Sequence, residues 1–264
     1  MLPLSAFLFK LVIMSNLRFY SPDKLRVGFT IKLSDNAAIH ATKVMRLNVG
    51  DTLKLFDGDG FDYTCELLSV KKSEVLANIK TSHAVNNESP LHITLLQGIS
   101  SGDRMDYTIQ KAVELGVNQI QPLSTERSMV KLTAERAQKR LEHWQNVVIS
   151  ACEQSGRAKI PKVAKPVNLT AWLEANIHEG SGDADSSHAR ILLNPVGAKQ
   201  LSALPKSTRN IQLLIGAEGG LSQAEIDLAT HHGFQSIVLG PRILRTETAA
   251  LTAIAALQTV LGDF

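Results

Sequence analysis

Cysteine is scarce in this sequence. Only Cys65 and Cys152 occur among its 264 residues, and two cysteines cannot build a disulfide framework or a zinc site. This scarcity predicts a reducing compartment, and we expect the protein in the cytoplasm. The eight histidines show no metal-ligand spacing, and the adjacent pair His231-His232 is typical of a helix end. We therefore expect no metal.

A long hydrophobic run is also missing. Residues 1–13 are largely apolar, with Lys10 in the middle, but they are too few to span a bilayer. They lack a basic first region, and no small-residue cleavage site follows them, so the stretch is a poor secretory signal. An exported protein is the alternative that this stretch leaves open.

The net charge of +3 is too small to indicate a nucleic-acid-binding protein by itself. Its distribution is more informative, because basic residues outnumber acidic ones in residues 1–83 and 100–162, and acidic residues prevail in 163–264. This pattern favours phosphate contacts in the first two-thirds of the chain and a cationic ligand in the last third. A mixed, solvated surface would give a similar distribution.

A glycine-bearing turn, IGAEGGLSQAE (Ile215 to Glu225), follows the short apolar run of residues 213–215, which is typical of a strand buried on both faces. Ser222 and Glu225 have the spacing of a capping box, so a helix should begin there. The turn lacks the glycine and lysine pattern of phosphate-binding loops, and Glu218 would repel phosphate. It suits a neutral or cationic ligand such as an adenosyl sulfonium, unless it is a plain turn with a solvated glutamate.

A second turn, LGPRILRTETAA (Leu239 to Ala250), has the same strand-to-helix character. Pro241 fixes the backbone after a glycine, and two arginines precede the Thr-Glu-Thr that opens an alanine-rich helix. Open α/β sheets bind ligands at the carboxyl ends of their strands. We therefore predict that the two turns form one cofactor pocket.

Taken together, the two turns resemble the SPOUT superfamily of S-adenosylmethionine (SAM)-dependent RNA methyltransferases. Within it the sequence is most similar to the RsmE family, which methylates N3 of a uridine in 16S ribosomal RNA. The resemblance runs from about Asn16 to the C-terminus, with the motifs in the family's order. Four further stretches agree with that family: HATKVMRLNVGD (His40 to Asp51), KAVELGV (Lys111 to Val117), ERSMVKL (Glu126 to Leu132) and ACEQSGRAKIP (Ala151 to Pro161).

The resemblance implies a domain organisation. Residues 1–15 would be an upstream extension, because the family's chains begin near the equivalent of Asn16. Residues 16–83, whose short alternating runs are typical of strands, would form a PUA-like RNA-binding β-barrel with one helix from about Asn36 to Leu47. A polar linker at 84–90 would lead to an α/β SPOUT domain at 91–264, which we expect to bind the cofactor even as a separate fragment.

Periodicity alone predicts an ordinary doubly wound sheet for 91–264, because true knots are rare. The resemblance implies instead a C-terminal trefoil knot that holds SAM next to a homodimer interface. The cofactor-binding residues it implies are Leu193, Asn194, Ile215, Gly216, Glu218, Gly219, Gly220, Leu239, Gly240, Arg242, Ile243, Leu244 and Thr246. The RNA-binding residues it implies are Arg18, His40, Lys43, Arg46, Arg104, Lys111 and Arg127.

Methylation of uridine N3 requires loss of a weakly acidic imide proton, so stabilising the developing anion should matter more than a strong base. Arg245 and Arg157, which lie in matched motifs, are candidates for that role, and Glu247 is a candidate proton acceptor. Two other functions stay open: a SPOUT enzyme that methylates ribose 2′-hydroxyls, and a non-catalytic RNA-binding assembly factor.

Overall fold

The computed structural model describes residues 17–71, 74–130, 132–176, 187–194 and 199–264. They form two compact units, one of residues up to Asn87 together with Cys152–Ile160, the other of Glu88–Ala151 and Pro161–Phe264. The boundary after Asn87 lies inside the stretch predicted as a linker. That residues 152–160 belong to the first unit was not predicted. The predicted upstream extension lies outside the described residues.

The first unit contains one five-stranded sheet in the order β1-β3-β4-β5-β2. β1 and β3 are parallel, and the other neighbours are antiparallel. Inward residues alternate with outward ones along β3 and the start of β5, as expected for strands with one buried face. The strands are β1 (Arg18–Tyr20), β2 (Thr30–Lys32), β3 (Thr52–Phe56), β4 (Phe61–Lys71) and β5 (Glu74–Ala84).

The helix predicted from Asn36 to Leu47 is shorter than expected. It consists of α1 (Asp35–Ile39), capped by the Ser34 hydroxyl, and a π-helical turn, His40–Val44. Arg46 follows the helix with a φ of 52°, which is the left-handed region that ends helices.

Arg18 joins residues 152–160 to the first unit. Its guanidinium is buried, forms an ion pair with Asp62 (Nε to Oδ1, 2.8 Å), and lies over the Phe56 ring at 3.6 Å. It also donates hydrogen bonds to the carbonyl oxygens of Cys152 and Arg157 at 2.8 and 3.0 Å. All of these contacts are within the first unit.

The second unit is built on a sheet in which every strand pair is parallel, in the order β12-β10-β11-β6-β7-β8, with β9 also pairing with β7. Its strands are β6 (His92–Gly98), β7 (Gln119–Ser124), β8 (Lys162–Val163), β9 (Val167–Asn168), β10 (His188–Leu193), β11 (Asn210–Ile215) and β12 (Gln235–Ile237). Its helices are α2 (Asp103–Glu114), α3 (Ala134–Ser155, whose last turn belongs to the first unit), α4 (Leu169–Ala175), α5 (Gln223–His231) and α6 (Thr246–Leu261).

The mixed α/β class predicted from the sequence is thus confirmed, and the trefoil knot stays a prediction. A buried cluster that includes Leu96, Leu192, Leu214 and Phe234 packs the sheet against its helices.

None of the described helices is long and apolar enough to cross a bilayer. Within the described ranges, no group of three or more His, Cys, Asp or Glu side chains could hold a metal ion.

Candidate functional site

One cavity of about 850 Å³ lies in the second unit, where β10, β11 and β12 end. Both glycine turns line it, as the sequence predicted, because parallel strands bring their carboxyl ends to one edge. Arg104, Arg127, Arg245 and Glu247 line it as well. All the residues predicted to bind the cofactor contribute to its wall: Leu193, Asn194, Ile215, Gly216, Glu218, Gly219, Gly220, Leu239, Gly240, Arg242, Ile243, Leu244 and Thr246.

The first turn is packed so closely that some of its glycines cannot carry a side chain. A Cβ atom on Gly216 would lie 2.7 Å from the carbonyl carbon of Gly220. A Cβ atom on Gly98, the last residue of β6, would overlap the backbone nitrogen of Ala217 and lie 2.7 Å from the Gly216 carbonyl carbon. Gly98 therefore lets β6 touch the turn directly, which no sequence motif indicated.

Gly219 and Gly220 are needed for different reasons. A Cβ atom on Gly219 would lie 2.8 Å from the Cβ of Arg127, whose side chain donates to the Gly219 carbonyl at 3.2 Å. Gly220 has open space around it but a φ of 69°, a conformation that side chains disfavour. The sequence suggested that these glycines leave room for a ligand, whereas the structure shows that they maintain the turn itself.

We expect Gly220→Val to weaken SAM binding at least tenfold, equivalent to about 1.4 kcal/mol. A β-branched residue at this φ would be strained, so the turn should relax away from its cavity-lining conformation. Calorimetric titration with SAM measures the effect, and Gly233→Val is the control, since Gly233 also has a positive φ of 83° and open space but does not line the cavity. Equal losses in both variants would attribute the effect to general backbone strain.

The sequence position of Glu218 suggested a carboxylate without protein partners that faces a ligand. In the structure this carboxylate has partners within the protein. Its Oε1 atom accepts hydrogen bonds from the Ser101 backbone N–H and hydroxyl, both at 2.8 Å, and forms an ion pair with Arg104 at 2.9 Å. Burial alone would raise the pKa of Glu218, but the hydrogen bonds from Ser101 and Arg104 outweigh burial and lower it. Glu218 therefore stays ionised, and much of its charge is compensated by Arg104.

A buried polar chain connects the two glycine turns. The Gln97 amide, fully buried at the end of β6, donates to the Thr246 hydroxyl at 3.0 Å. Thr246, the first residue of α6, donates in turn to the Gly216 carbonyl at 2.5 Å. This chain fixes the start of α6 against the first turn. Thr246 was predicted, but Gln97 was missed because its partners are remote in sequence.

The predicted capping box is confirmed: the Ser222 hydroxyl accepts from the Glu225 N–H at 3.2 Å, and Glu225 Oε2 accepts from the Ser222 N–H at 2.9 Å. The other carboxylate oxygen, Oε1, accepts from the Glu126 backbone N–H at 2.8 Å. The buried Glu225 thus holds the Glu126 backbone beside the first turn, where Arg127 reaches Gly219.

Arg245 lies at the start of α6 with an exposed side chain. Neither it nor Arg242 has a side-chain hydrogen bond or ion pair within the described residues, and the Oε2 atom of Glu247 is buried without a hydrogen-bond partner there. Arg245 and Glu247 therefore do not form the ion pair that could have explained them as structural partners. The exposed Arg245 guanidinium is available to a ligand, and Glu247 lines the same cavity.

Some of the other predicted residues have no place in this cavity. Arg18 was expected to bind RNA, but its guanidinium is buried and bonds to Asp62 and two backbone carbonyls of the first unit, so that prediction is wrong. Arg157 is also buried in the first unit, where its carbonyl accepts from Arg18, so its catalytic role stays a prediction without support from the cavity. Lys111 forms an ion pair with Glu114 at 2.8 Å. The remaining RNA-binding candidates of the first unit, His40, Lys43 and Arg46, are exposed.

Comparisons with known proteins agree with this geometry. The RNA methyltransferase domain family matches residues 87–258, and the RNA methyltransferase PUA domain family matches residues 33–80. Ribosomal RNA small subunit methyltransferase E from Buchnera aphidicola subsp. Acyrthosiphon pisum (strain APS) is 35% identical over 94% of each chain. The enzyme of that name from Bacillus subtilis (strain 168) is 32% identical over 87% of this chain and 90% of its own.

A solved structure gives the same result. The crystal structure of a ribosomal RNA small subunit methyltransferase E from Neisseria gonorrhoeae, bound to S-adenosyl methionine, is 44% identical, with a TM-score of 0.84 over 94% of this chain and 99% of that one. With identity and coverage this high along two domains and a shared fold, the chain belongs to the ribosomal RNA small subunit methyltransferase E family.

Proposed function

We propose that this protein transfers a methyl group from SAM to N3 of a uridine in 16S ribosomal RNA of the small subunit. The observation that carries the proposal is the single cavity lined by both glycine turns, in a chain whose relative from Neisseria gonorrhoeae was crystallised with S-adenosyl methionine. The relatives' names support ribosomal RNA of the small subunit as the substrate, and the sequence resemblance supports N3 of a uridine as the position.

The residues of the cavity suit SAM. Apolar side chains such as Leu193, Ile215 and Leu244 provide the apolar surface that an adenosyl group requires, and the backbone of the two turns offers N–H and C=O groups for its polar edges. Glu218 stays ionised, but its ion pair with Arg104 compensates much of its charge, so the fit to SAM rests on the apolar surface and the backbone of the turns. When bound, SAM supplies an electrophilic methyl group.

The catalytic roles belong to Arg245 and Glu247. As uridine N3 loses its proton, negative charge spreads onto the neighbouring carbonyl oxygens, and the Arg245 guanidinium can stabilise it by donating a hydrogen bond to one of them. Glu247, which also lines the cavity, would accept the proton. SAM bound in this cavity would then supply the methyl group to N3, with its sulfur as the leaving group that keeps the electron pair.

RNA contacts are assigned to exposed basic residues of both units. His40, Lys43 and Arg46 would contact phosphates from the first unit. Arg104 and Arg127, which line the cavity, would contact the RNA near the reacting base. The substrate we propose is 16S RNA within the assembled small subunit, in the cytoplasm.

A fragment starting near Leu91 cannot test the first unit's role, because it would strip residues 152–160 of their packing partners. Substitutions in the full chain are needed.

Mass spectrometry of 16S RNA nucleosides from cells that lack the protein tests this function. We expect N3-methyluridine to disappear, and to return with the wild-type gene but not with Arg245→Ala. Loss of a ribose-methylated nucleoside instead would support the related 2′-hydroxyl methyltransferase. Unchanged nucleosides, with a defect in subunit assembly, would support the non-catalytic factor.

We also propose that the protein is a two-fold homodimer, as the family resemblance implies. In α6, Ala250 and Ala253 are buried within their own chain, whereas Ala249, Ala255 and Ala256 are only partly covered. These three small residues allow a partner's backbone to approach closely. Light scattering at micromolar concentration should give twice the mass of one chain, and Ala256→Arg should lower that mass toward the monomer. A wild-type monomer would refute the dimer.

A further inference from the structure

A second cavity, of about 500 Å³, lies on α3 in the second unit and shares no lining residue with the first. Its basic residues follow the spacing of one helix face, i, i+3, i+4 and i+7. Exposed positions on a long helix commonly carry charge, so the pairing of each group decides what this surface can bind. The lining residues are Val130, Leu132, Arg136, Lys139, Arg140 and His143.

Two of the four basic groups are already paired. Lys139 forms an ion pair with Glu135 at 2.8 Å, and His143 Nε2 lies 2.6 Å from Asp106 Oδ2. The nearby Glu142 carboxylate accepts a hydrogen bond from Gln138 at 2.8 Å. These three acidic residues are thus engaged by other partners.

Arg136 and Arg140 are different. Both side chains are exposed, and neither has a side-chain hydrogen bond or ion pair in the part of the chain that the structure describes. They lie one helical turn apart, so their guanidinium groups can act on the same ligand. Arg136 also lies in the first turn of α3, where positive charge opposes the helix dipole. Helix stability therefore does not explain why arginine occupies this position.

We propose that Arg136 and Arg140 form a second RNA-binding surface, which contacts the phosphodiester backbone of the ribosomal RNA substrate away from the reacting base. Arginine matches this ligand because its planar fork of donors binds two phosphate oxygens at once. Phosphate contacts of this kind hold a protein in register without reading sequence. The inference rests on the proposed function, since it assumes that RNA is the substrate.

Binding to small ribosomal subunits from cells that lack the protein, measured as a function of salt, tests the proposal. The double variant Arg136→Gln with Arg140→Gln keeps good helix formers and removes two charges, so the slope of log K against log salt should fall by about 1.5 to 2. The double variant Arg136→Lys with Arg140→Lys should keep the slope. SAM affinity should be unchanged in both.

The matched control is Lys199→Gln with Lys206→Gln, two exposed lysines of the second unit that line neither cavity. An equal loss in the control, or an unchanged slope in the arginine double variant, would overturn the proposal. Methylation of small subunits by the wild-type protein is measured in parallel. Its absence would refute the proposed function, whereas wild-type methylation with an unchanged slope refutes only this second surface.

Discussion

Replacing Arg245 with alanine should reduce single-turnover methylation of 16S RNA on the order of a hundredfold or more, the usual scale for removing one transition-state donor. The Arg245 side chain lines the cavity, is exposed, and has no protein partner in the described residues. Its removal therefore takes away a contact to the substrate and little internal stability. SAM affinity and the thermal midpoint of the free protein should change far less than the rate.

The conservative variant sharpens this test. Arg245→Lys keeps the charge but loses the planar fork of donors, so turnover should fall in the order Arg, Lys, Ala. Arg209→Ala is a suitable control, because it removes an exposed arginine of the same unit that does not line the cavity. Parallel losses of turnover and SAM affinity in the Arg245 variants would refute a role confined to the chemical step.

The parts of the site that could be predicted are those marked by motifs of residues close together in the sequence. A capping box, a glycine turn and a short apolar strand depend on residues within about ten positions, so Ser222 and Glu225 could be recognised directly. Parallel strands then bring both turns to one edge of the sheet. The location of the two turns on one cavity could therefore be predicted before their contacts were known.

Contacts between remote residues could not be predicted in this way. Arg18 is an unremarkable basic residue in the sequence, yet it bonds to carbonyls more than 130 positions away. Glu218 finds its partners Ser101 and Arg104 more than 110 positions back. From the sequence, both side chains were predicted to contact a ligand. In the structure, the Arg18 guanidinium is paired with Asp62 and the Glu218 carboxylate with Arg104, because buried and partly buried charges need a partner.

Gly98 is the clearest example of such a remote dependence, and its substitution should weaken SAM binding strongly. An alanine methyl group there would overlap the Ala217 backbone nitrogen and lie 2.7 Å from the Gly216 carbonyl carbon. Neither neighbour is a flexible side chain that could rotate away. The Gly216 carbonyl is further held by Thr246, which Gln97 holds in turn. The turn can thus make room only by breaking this buried chain.

We expect Gly98→Ala to weaken SAM binding more than a hundredfold, or about 2.7 kcal/mol, which exceeds the loss expected for Gly220→Val. Calorimetric titration below the variant's melting temperature separates this loss from global unfolding, and the thermal shift that SAM induces should vanish with it. Ser100→Ala adds no atoms beside the turn, because it only removes a hydroxyl, and it should bind SAM nearly as the wild type does. If folded Gly98→Ala bound SAM with wild-type affinity, the contact between β6 and the first turn would not determine the shape of the site.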